Sequence, residues 1–258
     1  MSLKCKILVA AIAFTPLWWG VPTLAENPAH LRQLRETNQC PGCDLSGANL
    51  NRADLRGVNL RGANLQGADL SYANLENTDL TGANLNNSNL QATIFKGAKI
   101  DATTTIEEKW RLVWQIVNHG ARGRNFQGAD LSYANLQNVI FSGADLSQAN
   151  LSFAQLDRSS LIGVNLTDAI LENSSFIGSN LTHANLTNAK LAGANLSGAD
   201  LSAADFSHAD LRGVDFSGAD LRFDSVYGYP RLRGSNLEGA NLCAAMMSEE
   251  TREKIGCE

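Results

Sequence analysis

An apolar residue, usually Leu, returns at every fifth position along most of this chain. Twelve such units run from Leu45 to Ile100, twenty-one from Phe126 to Val226, and three more end at Leu242. A small residue stands two positions before almost every apolar one, and the residue between them is mostly Asp or Asn. On an α-helix a step of five turns by about 500°, which would scatter the Leu side chains around the whole circumference. On a flat strand an odd step sends successive Leu side chains to opposite faces. The period therefore excludes both ordinary elements.

A chain that turns a right angle every five residues accommodates this period. The small residue and the Leu then both point inward, the Asp or Asn between them points outward, and the remaining two residues form the corner. Gly is frequent at the second corner position, for example Gly62 and Gly67, as a tight turn requires. Four corners close a square of about 20 residues, so the 36 units predict about nine coils stacked at the ~4.8 Å spacing of neighbouring strands.

The composition agrees with such a narrow interior. The chain of 258 residues is 44% hydrophobic but only 7% aromatic, so Leu and Ala must supply most of the core. Four Leu and four Ala-sized side chains per coil fill a square of this size. The predicted core is therefore one Leu and one small residue deep on each wall.

The repeat unit resembles that of the pentapeptide-repeat family, A(D/N)LXX. Residues 62–70 and 193–201 match it position by position. The resemblance implies an all-β solenoid, a right-handed quadrilateral parallel β-helix, with an inserted α-helix and short helical caps. At Arg124, Asp224 and Pro230 the inward position is not occupied by a small apolar residue, and we expect distorted coils there.

Residues 1–25 are typical of a secretory signal peptide. Lys4 and Lys6 precede an apolar stretch from Ile7 to Phe14, and Ala25 ends a region suited to cleavage. The alternative is an uncleaved membrane anchor, although the apolar stretch is short for a span of ~20 residues. Cleavage would make Glu26 the first residue and change the net charge from −5 to −7.

The remaining segments follow from where the repeat starts and stops. We expect an N-terminal cap at 26–42, coils at 43–102, a helical insertion at 103–124, coils at 125–242 and a C-terminal cap at 243–258. The N-terminal cap should contain a helix over Pro28–Thr37, with Leu31 and Leu34 facing inward.

The insertion has the apolar spacing of one helix face. That face consists of Ile106, Trp110, Val113, Trp114 and Val117. It can pack against the coils, or Trp110 and Trp114 can dock a partner, since Trp is favoured at interfaces.

Four cysteines remain after cleavage, and an even number in an exported chain predicts disulfides. Three pairings are possible, and proximity favours Cys40–Cys43 and Cys243–Cys257, one at each cap. A redox motif or a zinc site using Cys40 and Cys43 is an alternative, but the fold context of a redox motif is missing.

No catalytic, cofactor-binding or metal-binding constellation is evident, and the acidic balance argues against a surface that grips nucleic-acid phosphates. One acidic run stands out as a possible partner-docking surface, with an Asp at five successive outward positions. These residues are Asp200, Asp205, Asp210, Asp215 and Asp220.

The sequence therefore favours an exported, non-catalytic structural or interaction scaffold with an unknown protein partner. It would have no membrane span after cleavage and would be a monomer or a weak end-to-end oligomer. Resemblance to exported pentapeptide-repeat proteins of photosynthetic bacteria suggests the periplasm or the thylakoid lumen. The alternative, also implied by the family, is an acidic DNA mimic that binds or protects the type II topoisomerase gyrase. An enzyme, such as a hydrolase using exposed carboxylates, is a third hypothesis.

Overall fold

The computed structural model describes residues 27–222, 230–233, 235–242 and 245–246. Within these residues there are two helices, α1 (Pro28–Thr37) and α2 (Glu108–His119), and the repeat segments pair through single-residue parallel bridges. The chain divides into two compact units, Met1–Trp114 and Gln115–Glu258, so that the boundary falls within α2. The predicted signal peptide and the predicted C-terminal cap, including Cys243 and Cys257, lie outside the described residues.

Most of the parallel bridges join residues 20 positions apart, which confirms the predicted coil length. In the first unit one column of bridges passes through Gln39, Asn59, Asp79 and Lys99. In the second unit each of four columns has the same interval from Asn125 to Asp220. The number of coils in the whole chain, predicted as about nine, stays a prediction.

The coil spacing changes once in the second unit. Asp205 pairs with Arg231, so an interval of 26 residues replaces the usual 20. The extra residues fall where the sequence predicted distorted coils, around Asp224 and Pro230. Asp224 itself lies outside the described residues.

The five-residue unit around Leu65 provides an acceptor for every backbone N–H that it contains. The N–H groups of Leu65 and Gly67 donate to the following coil, at 2.8 and 3.0 Å, and that of Asn64 donates to the preceding coil at 2.8 Å. The N–H of Ala68 closes the corner on the carbonyl of Leu65 at 3.0 Å. The N–H of Gln66 donates to the side-chain oxygen of Asn64 at 3.3 Å. Since a buried backbone group without a partner is costly, the outward Asp or Asn completes the set of hydrogen bonds of its unit.

The second corner residue has a positive φ in unit after unit, as in a type II turn. Gly67 has a φ of 66°, which costs glycine little because it lacks a Cβ. Several corners adopt the same conformation without glycine, among them Tyr72, Tyr133 and Phe153 at 58°, 60° and 59°. Large side chains can therefore stand at these corners, pointing away from the core.

The inward positions form the core as predicted. The small residue and the Leu of a unit are fully buried, for example Ala63 and Leu65, while Asn64 between them is half-buried. Some small positions carry a hydroxyl, which donates to a backbone carbonyl. Thr78 Oγ1 donates to the carbonyl of Leu55 at 2.7 Å. In the described part of the chain, every buried side-chain nitrogen or oxygen has a hydrogen-bond partner.

Helix α1 is present with the predicted bounds. Asn27 caps its N-terminus, accepting hydrogen bonds from the backbone N–H groups of Ala29 and His30 at 3.1 and 3.3 Å. Asn38 ends it in the left-handed conformation, with a φ of 55°. Leu34 is buried as expected and Leu31 is half-buried.

The region before α2 differs from the prediction. The coil continues to Thr105, which pairs with Asn84, although the helical insertion was expected to begin at residue 103. The pairing is possible because Thr104 fits the small inward position, where its hydroxyl donates to the carbonyl of Leu80 at 3.0 Å. At the other end of the insertion Arg124 is exposed, and its guanidinium donates to the carbonyl of Gly120 at 2.9 Å.

The buried face of α2 is also rotated from the predicted one. Trp110, Val113 and Ile116 are buried, whereas Val117 is only half-buried. The predicted face included Val117 and omitted Ile116. The buried residues of α2 recur at every third position, and this spacing places residue 116, and not residue 117, on the buried face.

Candidate functional site

The outward carboxylates are held as hydrogen-bond acceptors in the corners that follow them. The Thr103 hydroxyl, together with the backbone N–H of Thr103 and hydrogen bonds from Thr104, lowers the pKa of Asp101 to about 2. Hydrogen bonds from Ser147 and Asn165 likewise lower the pKa of Asp145. Such carboxylates are stabilised in the ionised form, which suits an acceptor in a turn and not a general acid.

The acidic run lies on the outer surface of the second unit, and Asp220 stacks directly over Asp200 through a parallel bridge. Arginines pair with three of its five members. The ion pairs are Asp205–Arg231 at 3.1 Å, Asp210–Arg212 at 2.6 Å and Asp220–Arg222 at 2.7 Å. The hydrogen bonds from Arg212 and Arg222 lower the pKa of Asp210 and Asp220.

The other two members of the run bond mainly to serines. The Ser217 hydroxyl donates to Asp215 at 2.5 Å and lowers its pKa, and the Ser202 hydroxyl donates to Asp200 at 2.7 Å. The serines leave the charge of these two carboxylates in place, so only the three arginine pairs offset the negative charge of the run.

The two tryptophans of α2 contribute to packing. Trp110 is only 6% exposed, and Trp114 is half-buried with its indole Nε1 donating to the carbonyl of Ala98 at 2.6 Å. The docking role that the sequence suggested for Trp110 and Trp114 stays a prediction.

Cys40 and Cys43 form a disulfide, one of the two pairs that the sequence favoured. Both residues are buried at inward positions on the two sides of the first corner, where other units carry Leu and Ala. The disulfide therefore crosses a corner of the first coil, close to α1.

Exposed apolar side chains form the surface feature that the sequence reasoning missed. Of the seven large apolar side chains that are exposed in the described part of the chain, five lie within residues 133–177. These are Tyr133, Ile140, Phe153, Ile162 and Ile177. The signal was available, because four of them occupy corner positions, where the repeat mostly carries polar residues or Gly.

Tyr133 and Phe153 are the only two of these five side chains that share a corner. They are 20 residues apart, and therefore stand at the same corner of successive coils. Their rings stack with centroids 4.9 Å apart and an interplanar angle of 4°. They are 39% and 46% exposed. We call these two residues the apolar corner surface. The three isoleucines stand at other corners or walls of the coils, because none of them is a multiple of 20 residues from Tyr133.

Two further features are absent from the described residues, a metal-binding cluster and a membrane-spanning helix. No three His, Cys, Asp or Glu side chains among them come together in a way that could hold a metal ion. Neither α1 nor α2 has the length and apolar character needed to cross a membrane.

A family model described as "Pentapeptide repeats" matches the sequence in eight copies. The matched residues cover more than half of the chain, at 40–77, 68–103, 125–161, 159–198 and 184–222. No curated protein matches the chain.

Several solved structures are similar to parts of the chain. A pentapeptide repeat protein from the thylakoid lumen of Arabidopsis thaliana is 24% identical over 52% of this chain and 76% of that one, with a TM-score of 0.28. QnrB1, a plasmid-mediated fluoroquinolone resistance protein, is 18% identical over 84% of this chain and 97% of that one, with a TM-score of 0.32. HetL, a pentapeptide repeat protein involved in heterocyst differentiation regulation in the cyanobacterium Nostoc, is 26% identical over 86% of this chain and 95% of that one, with a TM-score of 0.22.

Proposed function

Because the chain belongs to the pentapeptide-repeat family, we propose that it is an exported, non-catalytic scaffold that binds a protein partner through the outer surface of its coils. We also propose that its coils wind right-handed, as the family resemblance implies. The inward positions are occupied by packed Leu and small residues, so the outer surface is where the side chains vary from coil to coil.

The apolar corner surface is the observation that carries this proposal. Single exposed apolar residues are common on soluble proteins, but a concentration of them indicates an interaction site. Here the rings of Tyr133 and Phe153 stack at one corner of two successive coils while both side chains stay exposed. Aromatic side chains contribute large contact areas at protein interfaces. The coils from residue 180 to 222 have no exposed large apolar side chain.

Export is proposed from the first 25 residues, which lie outside the described part of the structure. Their two lysines, apolar stretch and small residue at Ala25 support a cleaved signal peptide. The destination that we propose, the periplasm or the thylakoid lumen, rests on the family resemblance.

A DNA mimic that binds gyrase is the second candidate function. The acidic run would then imitate the phosphates of a duplex. Ion pairing of Asp205, Asp210 and Asp220 with arginines reduces the charge available for such imitation. Export would also separate the protein from gyrase. The ion pairing and the proposed export both favour the scaffold.

Site-specific photocrosslinking in intact cells tests the scaffold. A benzophenone amino acid at Phe153 should give a discrete protein adduct on irradiation, because this side chain is exposed within the apolar corner surface. His208 is the matched control position. It is exposed and also occupies the second corner position of its five-residue unit, with a φ of 62° against 59° for Phe153. It lies in a later coil.

The proposal requires that the adduct form from position 153 and not from position 208. It also requires that Tyr133→Ser in the same chain weaken the adduct formed at position 153. An absence of any adduct at position 153, or equal adducts from both positions, would overturn the assignment of this surface.

A further inference from the structure

The Cys40–Cys43 disulfide is buried beneath the first helix. Cys40 is fully buried, and Cys43 is 3% exposed. The carbonyl oxygen of His30, in the first half of α1, lies 3.4 Å from Cys40 Sγ. Since disulfide reduction requires a thiolate to approach one sulfur atom, the position of α1 controls access to this pair.

His30 holds α1 against the first coil by accepting a backbone hydrogen bond that, elsewhere in the stack, a carbonyl of the preceding coil accepts. In the stack, an outward residue donates its backbone N–H to a carbonyl of the preceding coil, as Asn64 does to Cys43 at 2.8 Å. Asp44 stands at the equivalent position of the first described coil, and no coil precedes it among the described residues. Its N–H donates instead to Nδ1 of His30 at 2.9 Å. The imidazole therefore satisfies the edge of the first coil.

Two more contacts fasten the other end of α1. The Gln33 side chain and the Thr37 hydroxyl both donate to the carbonyl of Gln39, at 3.1 and 3.0 Å. Leu34, between them, is buried. These contacts and the His30 bond must open before solvent reaches the sulfur atoms.

We propose that α1 is a gate over a redox-responsive disulfide. A dithiol reductant reaches Cys40–Cys43 only when α1 lifts from the first coil. One thiolate of the reductant then attacks a cysteine sulfur, the S–S bond breaks and a mixed disulfide forms. The second thiol of the reductant displaces the cysteine, so the reductant leaves as a cyclic disulfide, and Cys40 and Cys43 take up two electrons and two protons as thiols.

The disulfide also constrains the corner on which α1 packs, because it links Cys40 to Cys43 on the two sides of that corner. Reduction removes this link, so the closed position of α1 is less stabilised in the reduced protein. The reduced protein therefore exposes the Asp44 edge of the first coil more often than the oxidised protein does. The redox state of the pair thus sets how firmly this end of the coil stack is closed.

Reduction kinetics with dithiothreitol test the gate in the full chain. The second-order rate constant should be at least about tenfold lower than that of a short peptide carrying the Cys40–Cys43 sequence. His30→Ala should raise it about fivefold to tenfold, the shift expected from losing one hydrogen bond of typical net strength. Leu34→Ala should raise it further. Arg32→Ala, on the exposed side of α1, is the matched control and should leave it unchanged.

The gate is refuted if the intact protein is reduced as fast as the peptide, or if neither His30→Ala nor Leu34→Ala accelerates reduction. Equal acceleration by Arg32→Ala would also refute it. Hydrogen exchange at the Asp44 amide tests the effect of reduction on α1, since it should be faster in the reduced than in the oxidised protein. Equal exchange rates in the two forms would overturn this effect.

Discussion

Replacing Leu161 with alanine should lower the free energy of unfolding by about 2–5 kcal/mol. Leu161 occupies an inward position and is fully buried. Each wall of a coil is only one Leu and one small residue deep, so few neighbouring side chains can move to fill the space. The loss should therefore combine the transfer free energy of the removed atoms with the cost of a cavity.

The next residue in the chain provides the control. Ile162 is 42% exposed at the corner, so Ile162→Ala should change the free energy of unfolding by less than about 0.5 kcal/mol. Urea denaturation of both variants measures the contrast. Similar losses for Leu161→Ala and Ile162→Ala would contradict the assignment of inward and outward positions.

The opposite change, Ala68→Leu, should also destabilise the protein, by about 1–3 kcal/mol. Ala68 is fully buried at a small inward position. Its unit already contains a buried Leu at position 70, so the added atoms would force side chains from their preferred rotamers or move the backbone.

Ala102→Leu is the matched control, because Ala102 lies in the same compact unit, Met1–Trp114, and is exposed. Thermal unfolding followed by circular dichroism should show a lowered Tm for Ala68→Leu and little change for Ala102→Leu. An unchanged Tm for Ala68→Leu would be inconsistent with a filled, square core.

The sequence predicted the coil because its period leaves little freedom. Once Leu65 and Ala63 must both point inward, the corner and the 20-residue repeat follow from geometry alone. The N-terminal helix was also predictable, since Asn27, Pro28 and the spacing of its two leucines are local signals.

Features that depend on tertiary placement were not predictable in the same way. His30 accepts a hydrogen bond from Asp44, fourteen residues away, only because α1 lies against the first coil. Thr105 continues the stack because Thr104 fits the inward position after a shift of one residue. No local sequence signal specifies either contact.

The candidate site was harder to predict than the fold. The acidic run was visible in the sequence. The pairing of Asp205 with Arg231 was not, because it depends on which coils are neighbours. The apolar corner surface could have been found from Tyr133 and Phe153, which are 20 residues apart at corner positions. Their stacking follows from that interval once the coil length is known.

Identification of the mature N-terminus in fractionated cells tests most directly whether the protein is an exported scaffold. The predicted result is a chain beginning at Glu26, recovered from the periplasm or the thylakoid lumen. This location would also separate the protein from gyrase. A chain that retains residues 1–25 and is recovered from the cytosol would contradict the export proposal and favour the DNA mimic.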